Sequence, residues 1–182
     1  EVESIKRGIR LAKSIFGGEV EESIEEISGR KVVNINEKIL VYQKEKDKKG
    51  REKKEYARAF MDTGVLTSRI SETFANRIGF LTTTRYFNNL EMPKKFDSLK
   101  EAQEYIDEHE KRLTLEDSIK RVAKIVDDGG IKIRPVIEIK VKISGEEKEI
   151  EVVILEDSEY HLVVGRGELK GYLIDTSKTF KN

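Results

Sequence analysis

Three consecutive residues, Asp62, Thr63 and Gly64, carry the clearest suggestion of chemistry in this chain. They follow Tyr56-Ala-Arg-Ala-Phe60-Met61, which reads as an apolar strand, and they precede a tight turn. A carboxylate set behind an apolar strand is costly unless something holds its charge. A pair of carboxylates sharing one proton justifies such a placement. Two like charges in contact cannot both ionise, so one group stays neutral as an acid while its mate acts as a base toward water. Gly64 would let the backbone approach the reacting water, and the Thr63 hydroxyl could bond nearby main chain. One triplet is half of such a pair, and a bare Asp-Thr-Gly also reads as an ordinary turn.

The elements that must position this triplet can be outlined from the pattern. Residues 1–28 read as a helical arm, with Ile5, Ile9, Ala12 and Phe16 at helical spacing and a break at Gly17-Gly18. From Lys31 the alternation of Val33, Ile35, Ile39 and Val41 predicts strands. The charged stretch Lys44 to Glu55 then makes the solvated tip of a long hairpin ending at Asp62. Ser71 can cap a short helix that Gly79 stops. Ser98 and Glu101 form a capping box for a helix to about Arg112. Thr114 can cap another with Leu115, Ile119, Val122 and Val126 inward, ending at Asp128-Gly129-Gly130. Strands are then expected over Ile131–Ile143, Glu149–Leu155, Leu162–Val164 and Tyr172–Ile174. The expected organisation is an arm at 1–29 and an α+β domain at 30–182 with a helical insertion at about 97–128.

Composition bounds the partners. The chain has 182 residues, no cysteine, and 35 basic against 35 acidic side chains. That length can bury a core without disulfides. A zero net charge argues against nucleic acid as a partner held mainly by charge. No stretch approaches a membrane span. Absence of cysteine fits a reducing, cytoplasmic setting. The 38% charged content with two glutamines follows the thermophile tendency. Beginning at Glu1 rather than Met, the sequence reads as excised from something longer, and an upstream anchor or domain stays open.

The segment Met61 to Phe80 resembles the active-site segment of retropepsin-like aspartic proteases, in particular those of gypsy-type retrotransposons and the DNA-damage-inducible shuttle proteins. Ser68, Ile70, Ser71, Ala75 and Gly79 stand where that motif has its Ser/Thr, capped helix and closing glycine. A second segment, His161-Leu-Val-Val-Gly-Arg-Gly-Glu-Leu-Lys-Gly-Tyr-Leu-Ile-Asp175, is similar to the family's other signature, two apolar residues before Gly-Arg, a short helix and a closing strand. The chain also resembles the bacterial and archaeal retropepsin-fold proteins called ATP-dependent zinc proteases. It shares Asp62-Thr-Gly-Val-Leu-Thr67-Ser68, Arg134-Pro-Val-Ile137, Gly145 and Gly165-Arg166 with them. Nothing supports the zinc: the two histidines, His109 and His161, lack metal-binding spacing, and no metal or other cofactor is expected.

The resemblance implies a closed β-barrel acid-protease lobe that acts on a peptide or protein as a homodimer. Asp62 of each copy would supply half of the catalytic dyad. Thr63, Gly64, Val163, Val164, Gly165 and Arg166 would support it, with Arg166 tying the following helix to the core. Asp175-Thr176-Ser177 and Asp157-Ser158 read as structural. The departures are Val65 in place of the usual alanine, Leu66 in place of an acidic residue that would partner Arg166, and no recognisable glycine-rich flap. Either Thr82–Phe96 or the helical pair would then cover the cleft. The competing expectation is a non-catalytic dimerisation or peptide-binding module of the same fold. A third is that the helical insertion makes a zymogen-like cover.

Overall fold

Alternating apolar residues along most of this chain favour strands, and the computed structural model, which describes residues 26–27, 30–156 and 159–176, is dominated by sheet. In chain order the strands begin with β1 (Glu26–Ile27), β2 (Arg30–Asn34), β3 (Asn36–Tyr42), β4 (Lys54–Asp62) and β5 (Ser68–Ser71). Helix α1 (Glu72–Ala75), a π-turn at Asn76–Phe80, α2 (Leu81–Asn88) and α3 (Leu99–Leu113) follow. The chain then returns to strands as β6 (Arg121–Asp127), β7 (Gly130–Ile143), β8 (Glu146–Leu155) and β9 (Leu162–Gly165). It closes with α4 (Arg166–Leu169) and β10 (Leu173–Asp175). Among the described residues no helix is long and apolar enough to cross a membrane.

Seven strands form one sheet in the order β3-β4-β9-β5-β8-β7-β6, and β1-β2-β10 form a small second sheet. The large sheet curls until β3 also meets β7, but only at Leu40↔Lys142 and Val41↔Val141. Hydrogen bonding round the ring is therefore uneven. Side chains reinforce this seam. The Tyr42 hydroxyl donates to Glu147, and the ammonium groups of Lys140 and Lys54 lie 4.4 and 5.0 Å from the Tyr42 ring centroid.

The core lies within the curl. Ala57, Ala59 and Met61 of β4 point into it, with Ile39, Val41, Ile70, Ile137, Ile139, Val152, Ile154, Leu162 and Val164 from neighbouring strands. Phe74 and Ile78 close it, both fully buried. A second cluster joins the helices to the β6–β7 hairpin, with Phe87, Phe96, Ala102, Leu113, Ile119 and Ile133 buried together.

Several sequence expectations are corrected here. The helix expected over 114–127 is absent. Thr114 instead ends α3, its N–H bonding the Glu110 carbonyl at 3.0 Å, and Arg121–Asp127 is strand β6. Val122 and Val126 had helical spacing, yet Val122 packs on the helical cluster while Ile125 packs on the opposite side with Val136 and Val153. Leu115 and Val126, expected inward, are 69% and 61% exposed, so the helical spacing of these residues marks no buried face. Gly79, expected to stop a helix, has φ +110° and makes a kink through which the chain continues into α2. Ser98 caps α3 as expected, its hydroxyl accepting from Glu101 N at 3.1 Å, but Glu101 reaches the N–H of Asp97 instead of that of Ser98. Of the helical arm, residues 1–25 lie outside the described residues, while Glu26–Ile27 at its end is extended. Asp157-Ser158 and Ser177 also lie outside them.

Leu113 is fully buried between α3 and the hairpin. Leu113→Ala is expected to cost about 2–5 kcal/mol in urea unfolding. Hydrogen exchange should quicken in Arg121–Asp127 before it does in β4.

Candidate functional site

Alternation along β4 sends Ala57, Ala59 and Met61 inward and leaves Arg58, Phe60 and Asp62 on the other face. Asp62 ends the strand half-buried, and its Oδ1 accepts a hydrogen bond from the Gly64 N–H at 2.8 Å. Thr63 and Gly64 are exposed. A Cβ at Gly64 would stand 3.0 Å from Asp62 Oδ1, so glycine keeps this carboxylate oxygen uncrowded.

Strand β9 runs parallel to β4, with Phe60↔Val163, Met61↔Val164 and Asp62↔Gly165 as partners. The chain leaving the triplet crosses over the end of β9. There Ser68 Oγ accepts from Gly165 N at 3.0 Å, Val65 O from Arg166 N at 2.7 Å, and Leu66 O from Gly167 N at 3.2 Å. The crossing is close. A Cβ on Gly165 would lie 2.8 Å from the Leu66 carbonyl oxygen and 2.9 Å from the Thr67 carbonyl carbon. The two sequence signatures are thus one structural unit: the segment after Asp62 is clamped to Gly165-Arg166-Gly167 by main chain and one serine.

The site residues named from sequence fall as follows. Val164 and Gly165 are buried behind Met61 and Asp62, and Val163 is half-buried beside Phe60. Arg166 is exposed, and no ion pair involves it among the described residues. The tie expected from its guanidinium is made by its backbone N–H. Leu66 explains the difference, since it offers no charge and is itself 65% exposed. Beside Thr63, the side chains of Leu66, Leu169, Tyr172 and Ile174 line an apolar hollow of about 360 Å³. The Arg134 of the Arg-Pro-Val-Ile stretch is structural, donating to Ile154 O at 2.9 Å, Asn88 Oδ1 at 3.1 Å and Glu72 Oε2 at 3.2 Å.

Four residues near the triplet were given no part in the site from sequence. Phe60 shares the Asp62 face and stacks on Tyr160 with ring centroids 5.1 Å apart. Arg69 pairs with Val163 across β5 and β9. His161 opens β9, stacks on Phe74 at 4.8 Å, and its Nδ1 accepts from the Arg58 N–H at 3.1 Å. Counting back two from Asp62 could have found Phe60. The other three depend on strand pairing, which the sequence does not print. Among the described residues no group of three or more His, Asp or Glu side chains is placed to hold a metal ion.

The fold and the clamped triplet fit the retropepsin-like fold that the two sequence signatures implied. The chain is similar to the retroviral protease-like domain of Ddi1 from Leishmania major, at 14% identity over 76% of this chain and 77% of that one, with a TM-score of 0.36. It is also similar to a protein of unknown function, Lpg0085, from Legionella pneumophila, at 14% identity over 82% and 95% of the two chains, with a TM-score of 0.38. No family model matches the chain, and no curated protein matches it significantly.

Two outcomes follow from this geometry. Gly165→Ala should destabilise the fold by about 1–3 kcal/mol, as expected of overpacking, measured by urea denaturation. The cost should exceed that of Gly171→Ala, whose added Cβ meets nothing, even though φ there is +92°. The second concerns pH. Burial, then the positive charges of Arg77 and Arg58, hold His161 below the ordinary histidine value. The unfolded chain therefore binds the proton first, so this contribution to stability is complete above about pH 6.5 and is lost as pH falls through the folded-state pKa. In His161→Gln, the slope of unfolding free energy against pH should be shallower over that range.

Proposed function

We propose that the chain is an aspartic endopeptidase of retropepsin type, completed by a second copy of itself. One Asp62 acts as the base that takes a proton from the attacking water and its mate as the acid that protonates the carbonyl oxygen; the proton taken from water then passes to the departing amine nitrogen as the C–N bond breaks. The observation that carries this reading is the Asp62 turn. A half-buried carboxylate ends an apolar strand, and the crossing over Gly165 fixes its backbone from behind. No basic partner in the described residues claims Asp62, whose Oδ1 accepts from the Gly64 amide. The exposed Leu66 and the apolar hollow beside Thr63 supply surface that a copy related by a two-fold axis would cover.

On this reading the curled sheet is the closed acid-protease barrel. Thr63, Gly64, Val163, Val164 and Gly165 support Asp62, and Arg166 helps through its N–H. Substrate would lie extended across the Asp62 face, bonded through its main chain. The β6–β7 hairpin is the natural cover. Its tip turns at Asp128-Gly129, where Asp127 Oδ1 accepts from Gly129 N at 2.7 Å and Gly130 has φ +106°. The helical insertion then packs behind the cover. A cytoplasmic setting fits the cysteine-free composition.

Asp62→Asn keeps an oxygen for the Gly64 N–H and removes the acid–base function. It is expected to lower kcat on a peptide substrate by about 10³-fold or more while thermal unfolding and dimer mass are unchanged. Full activity in that variant, or sedimentation of a monomer alone at high concentration, would overturn the dyad. The alternative of a non-catalytic binding module is favoured by the exposed Arg166, which has no acidic partner among the described residues. A statine-type peptide separates the two readings: a peptidase should bind it far more tightly than the matching amide peptide, whereas a module should not distinguish them.

A further inference from the structure

The face that presents Asp62 carries a positive charge with no counterpart among the described residues. Strand pairing sets out the row: Phe60 on β4 lies opposite Val163 on β9, Val163 opposite Arg69 on β5, and Arg69 opposite Val153 on β8. Paired residues on adjacent strands project to the same side of a sheet. Burial agrees, because Phe60, Val163 and Arg69 are half-buried while their sequence neighbours Met61, Val164 and Ile70 are fully so and belong to the core. Arg69 therefore stands on the Asp62 side, two strand spacings from β4. That is about 10 Å across the sheet.

Three other arginines near this row are paired. Arg121 pairs with Glu151 at 3.3 Å, Arg77 with Glu55 at 3.1 Å, and Arg134 with Glu72 at 3.2 Å. Among the described residues, Arg69 has no ion pair or hydrogen bond through its guanidinium. A half-buried charge without a counter-ion is retained at a cost, and its fork of donors matches a carboxylate. Between Arg69 and Asp62 lies an apolar shelf made by Val163 and the Phe60–Tyr160 ring pair.

We propose that Arg69 is a specificity-determining residue, and that the groove selects acidic peptides. An aspartate or glutamate side chain of the substrate binds Arg69, and a large apolar side chain rests on the Phe60–Tyr160 shelf nearer the bond that is cut. An extended peptide advances about 3.3 Å per residue, so the acidic residue falls within about three positions of that bond. This rests on the peptidase reading above, but concerns what is selected and not how it is cut.

The test uses the full chain and peptides centred on a statine unit, each carrying Glu, Gln or Lys at one flanking position, with amide versions for cleavage. At one position within three of the centre, Glu should bind and cleave about 10- to 100-fold better than Gln. Added salt should shrink that ratio. Arg69→Gln should bring it to about one, and Arg69→Glu should turn the preference toward Lys. Unfolding midpoints should stay near wild type, since the side chain makes no bond to the described residues. Cleavage with no charge preference, or a preference that survives in Arg69→Gln, overturns the assignment and leaves the peptidase reading intact. Failure of every peptide to bind overturns both.

Discussion

The close crossing of the chain over Gly165 is the constraint on which the rest of this structure depends. Strand β9 can end beneath the Leu66–Thr67 backbone only because residue 165 has no side chain. Three hydrogen bonds then fix the path of the segment that leaves Asp62. With that path set, β5 must enter the sheet beside β9, and helix α1 must start where Ser71 caps it through the Phe74 N–H. Asp62 owes its position to backbone geometry more than to any partner of its carboxylate. Preorganisation of this kind is what a reacting group needs, because the surrounding bonds do not have to change when its charge does.

The chain handles its two covers differently. The inner face of the sheet is filled by aliphatic side chains from six strands. The outer hairpin is instead sandwiched, with Ile125 and Val136 on one side and the helical cluster on the other. The helices thereby convert a two-stranded ribbon, which alone would be marginal, into an ordered element. Their role is mechanical support. Nothing in their packing brings them onto the Asp62 face of β4.

Much of this was legible in the sequence where short-range rules govern. The hairpin ending at Asp62 and the Ser71 and Ser98 caps rest on local pattern, and all are present, whereas the pairing of the two signatures was implied only by the family resemblance. The misreadings share a physical cause. Val122 and Val126 stand at helical spacing, but only Val122 is packed while Val126 is exposed, and tertiary pairing with β7 outweighed the local signal. Gly79 does adopt a positive φ, but the chain beyond it finds a second apolar surface and coils again. Arg69, Tyr160 and His161 were silent for a different reason. Their significance comes from which strands lie side by side, and parallel pairings such as β4 with β9 join segments about a hundred residues apart in a way no spacing rule encodes.

The small sheet has a consequence for how the molecule comes together. Leu173↔Val32 and Ile174↔Val33 join opposite ends of the described chain in parallel register, and Asp175 O receives the Ile35 N–H at 3.0 Å. Closing so long a loop carries a large entropic penalty that no local contact offsets, whereas β3–β4 and β7–β8 need only short turns. Hairpins should thus assemble early, and the β2–β10 pairing should be the last native contact made. Since α4 and Tyr172 immediately precede β10, the apolar hollow beside Thr63 takes shape only when folding is nearly complete. That hollow is therefore a late feature of folding, complete only once the chain's own topology has been secured.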